Sequence, residues 1–149
     1  MFKVRKASLD DLQTLVDFTA QEEFEAEGIN KDTSTLQNGI QAALENDSIA
    51  RYWILVNHEE TPIGSVSTLK EWSDWNAGFY WWIQSMYITP EHRGKGLMNE
   101  LIDAVLEEMN LQGGLELRLY VHKDNQPAVR AYQKFGFKES DYQIMTYQK

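Results

Sequence analysis

The stretch "TPEHRGKGLMNELI", residues 89–102, constrains this chain more than any other. A proline closes an extended run, two glycines flank a lysine, and an apolar helical pattern begins at once. Glycine loses more conformational freedom on folding than any other residue, so its use here points to a close backbone approach. The first amides of a helix lack internal partners and carry partial positive charge. Flexible backbone in front of them makes a cradle for an anion, typically a phosphate.

The rest of the chain supplies a frame around that turn. "FKVRKA" alternates as a short strand, and Ser8 then caps "LDDLQTLVDFTAQEEFEAEG" with Asp11 in the capping-box position. Leu12, Leu15, Val16 and Phe18 follow helical spacing, Gly28 ends the element, and "TSTLQNGIQAALEN" reads as a second helix. "RYWILVN" and "PIGSVSTLKEW" are strands around the turn "HEET", and "GFYWWIQSMYIT" is a long strand closed by Pro90. After the glycine turn, Leu97, Leu101, Ile102, Val105 and Met109 share one helix face. "LELRLYV" alternates with Leu115, Leu117, Leu119 and Val121 on one side. Asn125 caps a last helix, with Pro127 in its first turn, Ala128, Ala131, Tyr132 and Phe135 on its face and Gly136 as its stop. "YQIMTYQ" reads as a final strand. The order β-α-α-β-β-β-α-β-α-β predicts an α/β or α+β fold, a mixed sheet with helices on its faces.

At 149 residues, 42% of them hydrophobic, the chain is expected to form one domain over residues 1–149. No apolar run is long enough to span a bilayer, and Met1 opens no signal-peptide pattern, so a cytoplasmic location and no membrane partner are expected. With no cysteine, disulfides, thiolate metal sites and a cysteine nucleophile are excluded. His58, His92 and His122 are too scattered to suggest a metal site. The net charge of -9 argues against a nucleic-acid groove and suits a cationic partner.

Two familiar phosphate cradles do not fit. A P-loop needs Lys followed by Ser or Thr, but Lys95 precedes Gly96 and Leu97. A dinucleotide fingerprint needs a third glycine where Asn99 stands. The run Arg93, Gly94, Lys95, Gly96, Leu97, Met98 instead resembles the Q/R-x-x-G-x-G/A signature of the GNAT superfamily of N-acetyltransferases, with Met98 in place of the usual small residue. Downstream, "NQPAVRAYQKFGF" is similar to that superfamily's N-x-x-A-x-x-x-Y followed by G-F. The motif-bearing stretches cover residues 84–99 and 125–137, and the element order extends the likeness over nearly the whole chain.

The resemblance implies a mostly antiparallel sheet of about six to seven strands with helices on both faces. It implies a gap between the fourth and fifth strands, where the backbone of Met86, Tyr87 and Ile88 pairs with the pantetheine of acetyl-coenzyme A. The pyrophosphate is expected on the amides of Arg93, Gly94, Lys95, Gly96, Leu97, Met98 and Asn99. Asn125, Ala128 and Tyr132 are expected to line the opposite wall. The implied activity is transfer of the acetyl group of acetyl-coenzyme A, a co-substrate, to a primary amine by direct attack in a ternary complex. A homodimer is the assembly that the resemblance suggests.

Such a transfer makes demands that residues can be matched to. An ordinary amine has a pKa of about 10.4, so roughly one in a thousand is neutral near pH 7. The oxyanion needs preorganised donors, and the leaving thiolate benefits from a proton donor. Tyr132 occupies the family position for that acid, although spacing alone makes it a core aromatic on an amphipathic helix. For the base, several members of the resembled family carry a glutamate on the fourth strand where alignment on Arg93 puts Gln84 here, and an amide cannot take the proton. Glu71 and Asp74 are then candidates, against a plain reading as solvated turn charges. The acidic "EEFEAEG", with Glu22, Glu23, Glu25 and Glu27, reads first as a solvated helix end and second as an acceptor-side wall. Trp72, Trp75, Trp81 and Trp82 divide between core and cleft by strand alternation. These features favour a small cationic amine or an amino terminus as acceptor, with no nucleic acid involved. The alternative is a non-catalytic acyl-coenzyme A-binding module, which Gln84 favours.

Overall fold

Strands in this chain gain their stability from two separate apolar layers, one on each side of a single sheet. The computed structural model describes residues 1–30 and 32–149. Its elements are β1 (Lys3–Lys6), α1 (Leu12–Glu27), α2 (Thr33–Glu45), β2 (Arg51–Val56), β3 (Pro62–Ser73), β4 (Gly78–Ile88), α3 (Leu97–Leu111), β5 (Glu116–Leu119) and α4 (Gln126–Phe135). Short 3-10 turns lead into α1 and out of β4, at Leu9–Asp11 and Pro90–His92.

The sheet runs in the order β1-β2-β3-β4-β5. Pairing is antiparallel through β4, and β5 joins β4 in parallel after the crossover through α3. Alternation along β2 sends Trp53 and Leu55 to one face, where they meet Val66, Trp81 and Ile83 under α3. The five α3 positions expected to share a face, Leu97, Leu101, Ile102, Val105 and Met109, are its buried residues. Ile54 and Val56 point the other way, onto Leu15 and Val16 of α1 and Ile40 of α2. Among the described residues, no helix is long and apolar enough to cross a membrane.

Helix α1 starts where the sequence places it. Asp11 Oδ2 accepts from the Ser8 amide at 2.8 Å, and Ser8 Oγ accepts from the Asp10 amide at 3.3 Å. Asp11 also takes both terminal nitrogens of Arg5 at 2.9 Å each, tying β1 to the helix entry. The bonds from Arg5, ahead of the Ser8 amide, hold the buried Asp11 carboxyl below its ordinary range. Replacing Asp11 by alanine should lower stability by about 1–3 kcal/mol at neutral pH, because cap and ion pair go together. A depressed folded pKa contributes stability above the unfolded value, near 3.9, that is lost as pH falls through the folded one. The gap between wild type and variant in urea unfolding should therefore close in acid.

Strand β4 carries an irregularity that redirects its second half. Its register with β3 runs Ser67↔Ser85 and then Thr68↔Ile83, leaving Gln84 as an extra, exposed residue in a bulge. Alternation reverses there. Trp81 and Ile83 pack toward α3 before the bulge, and Met86 and Ile88 return to that layer after it. Tyr87 faces α1 instead, with its ring 5.2 Å from Phe18.

The sheet has five strands where about six to seven were expected. β5 is shorter than its alternating pattern, spanning Glu116–Leu119. The segment "YQIMTYQ", read as a last strand, forms none, and residues 141–149 are exposed throughout. A strand exists only by pairing, and here the outer edge of β5 and the C-terminal segment do not meet.

Candidate functional site

β4 and β5 pair from Tyr80↔Glu116 to Ile83↔Leu119 and then separate, while β4 runs on to Ile88. The fork opens at the Gln84 bulge, which bends β4 away from its parallel neighbour. Beyond it the backbone of Met86 has no β5 partner. Its amide donates instead to Glu22 Oε2, at 2.9 Å, from the middle of α1.

Glu22 is the most perturbed carboxyl of the site. Desolvation by burial raises its pKa to about 7, against the bonds from the Met86 amide and Ser85 hydroxyl, with Glu23 and Glu25 adding to the rise. Tyr132 feels its charge. Burial first, then the negative charge of Glu22, push the phenol up to about 12. The hydroxyl of Tyr132 thus keeps its proton at any physiological pH, within electrostatic reach of a carboxyl poised to gain or lose one. Its ring stands edge-on to Phe137 at 5.7 Å.

Below the fork lies the glycine cradle. Gly94 and Gly96 adopt left-handed backbone, φ 76° and 74°, which glycine takes without a steric cost. Gly96 is the N-cap of α3, and among the described residues no side chain caps the helix. A Cβ at either glycine would meet nothing within 4 Å, so the space in front of the amides is open. Uncapped donors, positive dipole and free approach together fit a pyrophosphate. Two amides of the expected set are engaged internally, Arg93 to the Pro90 carbonyl and Asn99 to that of Gly96. That leaves Gly94 to Met98 as the donors of interest. Met98 is half-buried against the α3 layer, so its bulk is absorbed by the core. Lys95 is exposed at the rim.

The Arg93 side chain folds inward. Its Nε donates to the Ile88 carbonyl and its terminal nitrogen to Glu25 Oε1, both at 2.8 Å, which clamps α1 to the end of β4. Glu25 therefore already has a cation. Asn125 Oδ1 accepts from the Ala128 amide at 3.3 Å, capping α4.

Glu71 has a different occupation from the one expected. It accepts from Trp82 Nε1 at 2.8 Å and lies 4.0 Å from Arg118. Its register partner is Tyr80, six residues and so roughly 20 Å along β4 from Met86. Asp74 lies in the β3–β4 turn at that same far end. Trp81 is core, and Trp72 and Trp75 are exposed at or beside the hairpin tip, away from the fork. Trp72, Trp75 and Trp81 thus do not line the site, while Trp82, one register pair before the fork, is half-buried and stacks on Tyr120 at 4.6 Å.

Glu22 was missed as an individual. It lay inside a run taken for a solvated helix end, yet Leu15, Phe18 and Glu22 follow three-and-four spacing. A carboxylate continuing the apolar stripe of α1 was the signal that could have singled it out.

Known proteins share this fold. The sequence profile of the Acetyltransferase (GNAT) family matches residues 12–137. The L-amino acid N-acyltransferase MnaT of Escherichia coli (strain K12) is 26% identical over 108 residues, covering 72% of this chain and 62% of that protein. A mycothiol acetyltransferase of Corynebacterium glutamicum (strain R) is 35% identical over 77 residues, which is 46% of this chain and 26% of that protein. The chain thus aligns with only about a quarter of the mycothiol acetyltransferase's length. Among solved structures, a possible acetyltransferase from Clostridium difficile 630 superposes with a TM-score of 0.92 at 30% identity, covering 100% of this chain and 98% of the other. A predicted acetyltransferase with acetyl-CoA from Clostridium acetobutylicum shares the fold, with a TM-score of 0.80 at 23% identity over 99% of this chain and 96% of the other.

Proposed function

This chain belongs to the GNAT family of acetyltransferases, and on that premise we propose that it moves the acetyl group of acetyl-coenzyme A to a small cationic amine. The observation that carries the reading is Glu22, a carboxyl of pKa about 7 held on the Met86 amide at the mouth of the open fork, beside a protonated Tyr132.

Acetyl-coenzyme A, when bound, supplies the thioester. Its pyrophosphate would be held by the amides from Gly94 to Met98, and its pantetheine arm by β4 and the wall carrying Asn125, Ala128 and Tyr132. The Met86 amide becomes the oxyanion donor once the acyl oxygen displaces Glu22. Losing that bond removes one cause that lowers the Glu22 pKa, so the freed carboxylate becomes a stronger base. The amine nitrogen attacks the carbonyl carbon, Glu22 takes the ammonium proton, and the carbon–sulfur bond breaks. Tyr132 gives its hydroxyl proton to the departing sulfur. With Glu22 neutralised, the charge that raised the Tyr132 pKa is gone, which eases that donation. The products are an amide and the free thiol.

Tyr132→Phe should accordingly lower kcat by roughly 10²-fold or more while leaving coenzyme A affinity unchanged, since only proton transfer is removed. Turnover at the wild-type rate would make the residue a packing aromatic only.

The acceptor class rests on Glu22 and the net charge of -9, because Glu25 is already paired with Arg93 and Trp72, Trp75 and Trp81 lie elsewhere. The testing experiment is a panel of monoamines, diamines and amino acids with acetyl-coenzyme A, followed by free-thiol release. Diamines should be preferred, and their apparent KM should rise with ionic strength as screening weakens long-range attraction. Preference for neutral or anionic acceptors would remove the cationic substrate. Coenzyme A binding without thiol release from any amine would leave a binding module.

A further inference from the structure

Glu22 ends a row of hydroxyls that the proposed transfer leaves unused. The register pairs Tyr52 with Ser67 and Ser67 with Ser85, so β2, β3 and β4 each contribute one hydroxyl to a line across the sheet. Alternation puts that line on the α1 side, because Val66 and Met86, next to Ser67 and Ser85, pack under α3. At one end the Ser85 hydroxyl bonds the Glu22 carboxyl. At the other, Tyr52 is half-buried against the layer of α1 and α2.

Ser67 sits at the centre. It is fully buried, yet among the described residues no group completes a hydrogen bond with its Oγ. Burial raises the pKa of the Tyr52 phenol, the Ser67 hydroxyl opposes that rise, and the charge of Glu22 adds to it. Tyr52, Ser67 and Glu22 therefore share one electrostatic neighbourhood. An unpaired hydroxyl costs stability in such a place, and a second state in which it is paired accounts for it.

Resting on the transfer proposed for the fork, we infer that Ser67 is a positioning residue that receives the Glu22 carboxylate when the acyl oxygen takes the Met86 amide. In the free enzyme Glu22 holds that amide and the Ser67 donor waits. With the acyl group in place, Ser67 Oγ–H donates to the displaced carboxylate, Ser85 stays in contact throughout, and Tyr52 backs Ser67 from the far side. The two positions are one cross-strand step apart, since directly paired residues have Cβ atoms about 5 Å from each other. A change of glutamate rotamer covers that step. A hydroxyl also suits a base that gains a proton. It donates to the carboxylate and, once Glu22 is neutral, can turn and accept, which an amide N–H cannot.

Titration calorimetry of the full chain at about pH 8, with no amine present, compares acetyl-coenzyme A with coenzyme A, which lacks the acyl oxygen. Ser67→Ala should weaken acetyl-coenzyme A roughly tenfold, the contribution of one hydrogen bond to a charged group, and leave coenzyme A unchanged. The same variant should melt no earlier than wild type, because alanine removes an unpaired buried hydroxyl. Tyr52→Phe should act on acetyl-coenzyme A in the same direction by a smaller factor. In a Glu22→Ala background, Ser67→Ala should have no further effect, since the group it receives is gone. Equal losses for both ligands, no loss for either, or a Tm lowered by several degrees in Ser67→Ala would each overturn the second seat. If wild type binds acetyl-coenzyme A and releases thiol with an amine while Ser67→Ala keeps full affinity, only the seat fails. If wild type has no affinity for acetyl-coenzyme A, the seat and the proposed activity fail together.

Discussion

Glu22→Gln is expected to lower kcat/KM by roughly 10²- to 10⁴-fold, the range of a lost general base. Glutamine keeps an oxygen for the Met86 amide, so the helix-to-strand contact survives while the proton acceptor is removed. The pH profile separates this from a loss of packing. A base works unprotonated, so the wild-type rate should rise with pH through about 7 and fall on the acid side. Tyr132, with its proton held up to about 12, adds no inflection in that window. In Glu22→Gln the acid limb near 7 should vanish. Stability should move the other way. A carboxyl whose folded pKa is raised opposes folding increasingly as pH climbs from its unfolded value through about 7. The variant should therefore unfold no earlier than wild type at pH 8. An unchanged rate with the limb retained would remove Glu22 from the chemistry.

Gly96→Asp should weaken coenzyme A binding by roughly 10²-fold or more, read by titration calorimetry. The position is left-handed, φ 74°, which aspartate tolerates better than most residues, so the fold should hold. A Cβ there meets nothing within 4 Å, hence the side chain projects into the space the phosphates need. Its charge also opposes the helix dipole that would hold them. Gly96→Ala adds backbone strain without charge and should bind more weakly than wild type but better than Gly96→Asp. Equal affinities in all three folded proteins would move the pyrophosphate elsewhere.

Local features were legible because short-range chemistry sets them. The Ser8–Asp11 capping box, the α3 stripe from Leu97 to Met109, and the left-handed glycines opening α3 each follow from spacing over a few residues. The family motif at residues 93–98 stood on those same elements, and the one at 125–137 on α4 with its Asn125 cap. The resemblance therefore pointed to the fold, though with more strands than are formed.

Tertiary structure decided the rest. One extra residue at Gln84 reversed the alternation of β4, and nothing local in "GFYWWIQSMYIT" marks a bulge, which exists only relative to β3. Glu71 and Glu22 carry the same side chain. Register sent Glu71 to Trp82 and Arg118, while α1 packing against β4 desolvated Glu22 on the Met86 amide. Trp81 went to the core and Trp72 and Trp75 to the hairpin tip for a similar reason, since the sheet assigns faces only once strands are paired. "YQIMTYQ" has the composition of a strand and forms none here, because pairing is a property of two segments and no sequence pattern contains the second. Periodicity and capping are read one segment at a time; register, desolvation and strand partnership arise only when distant segments meet.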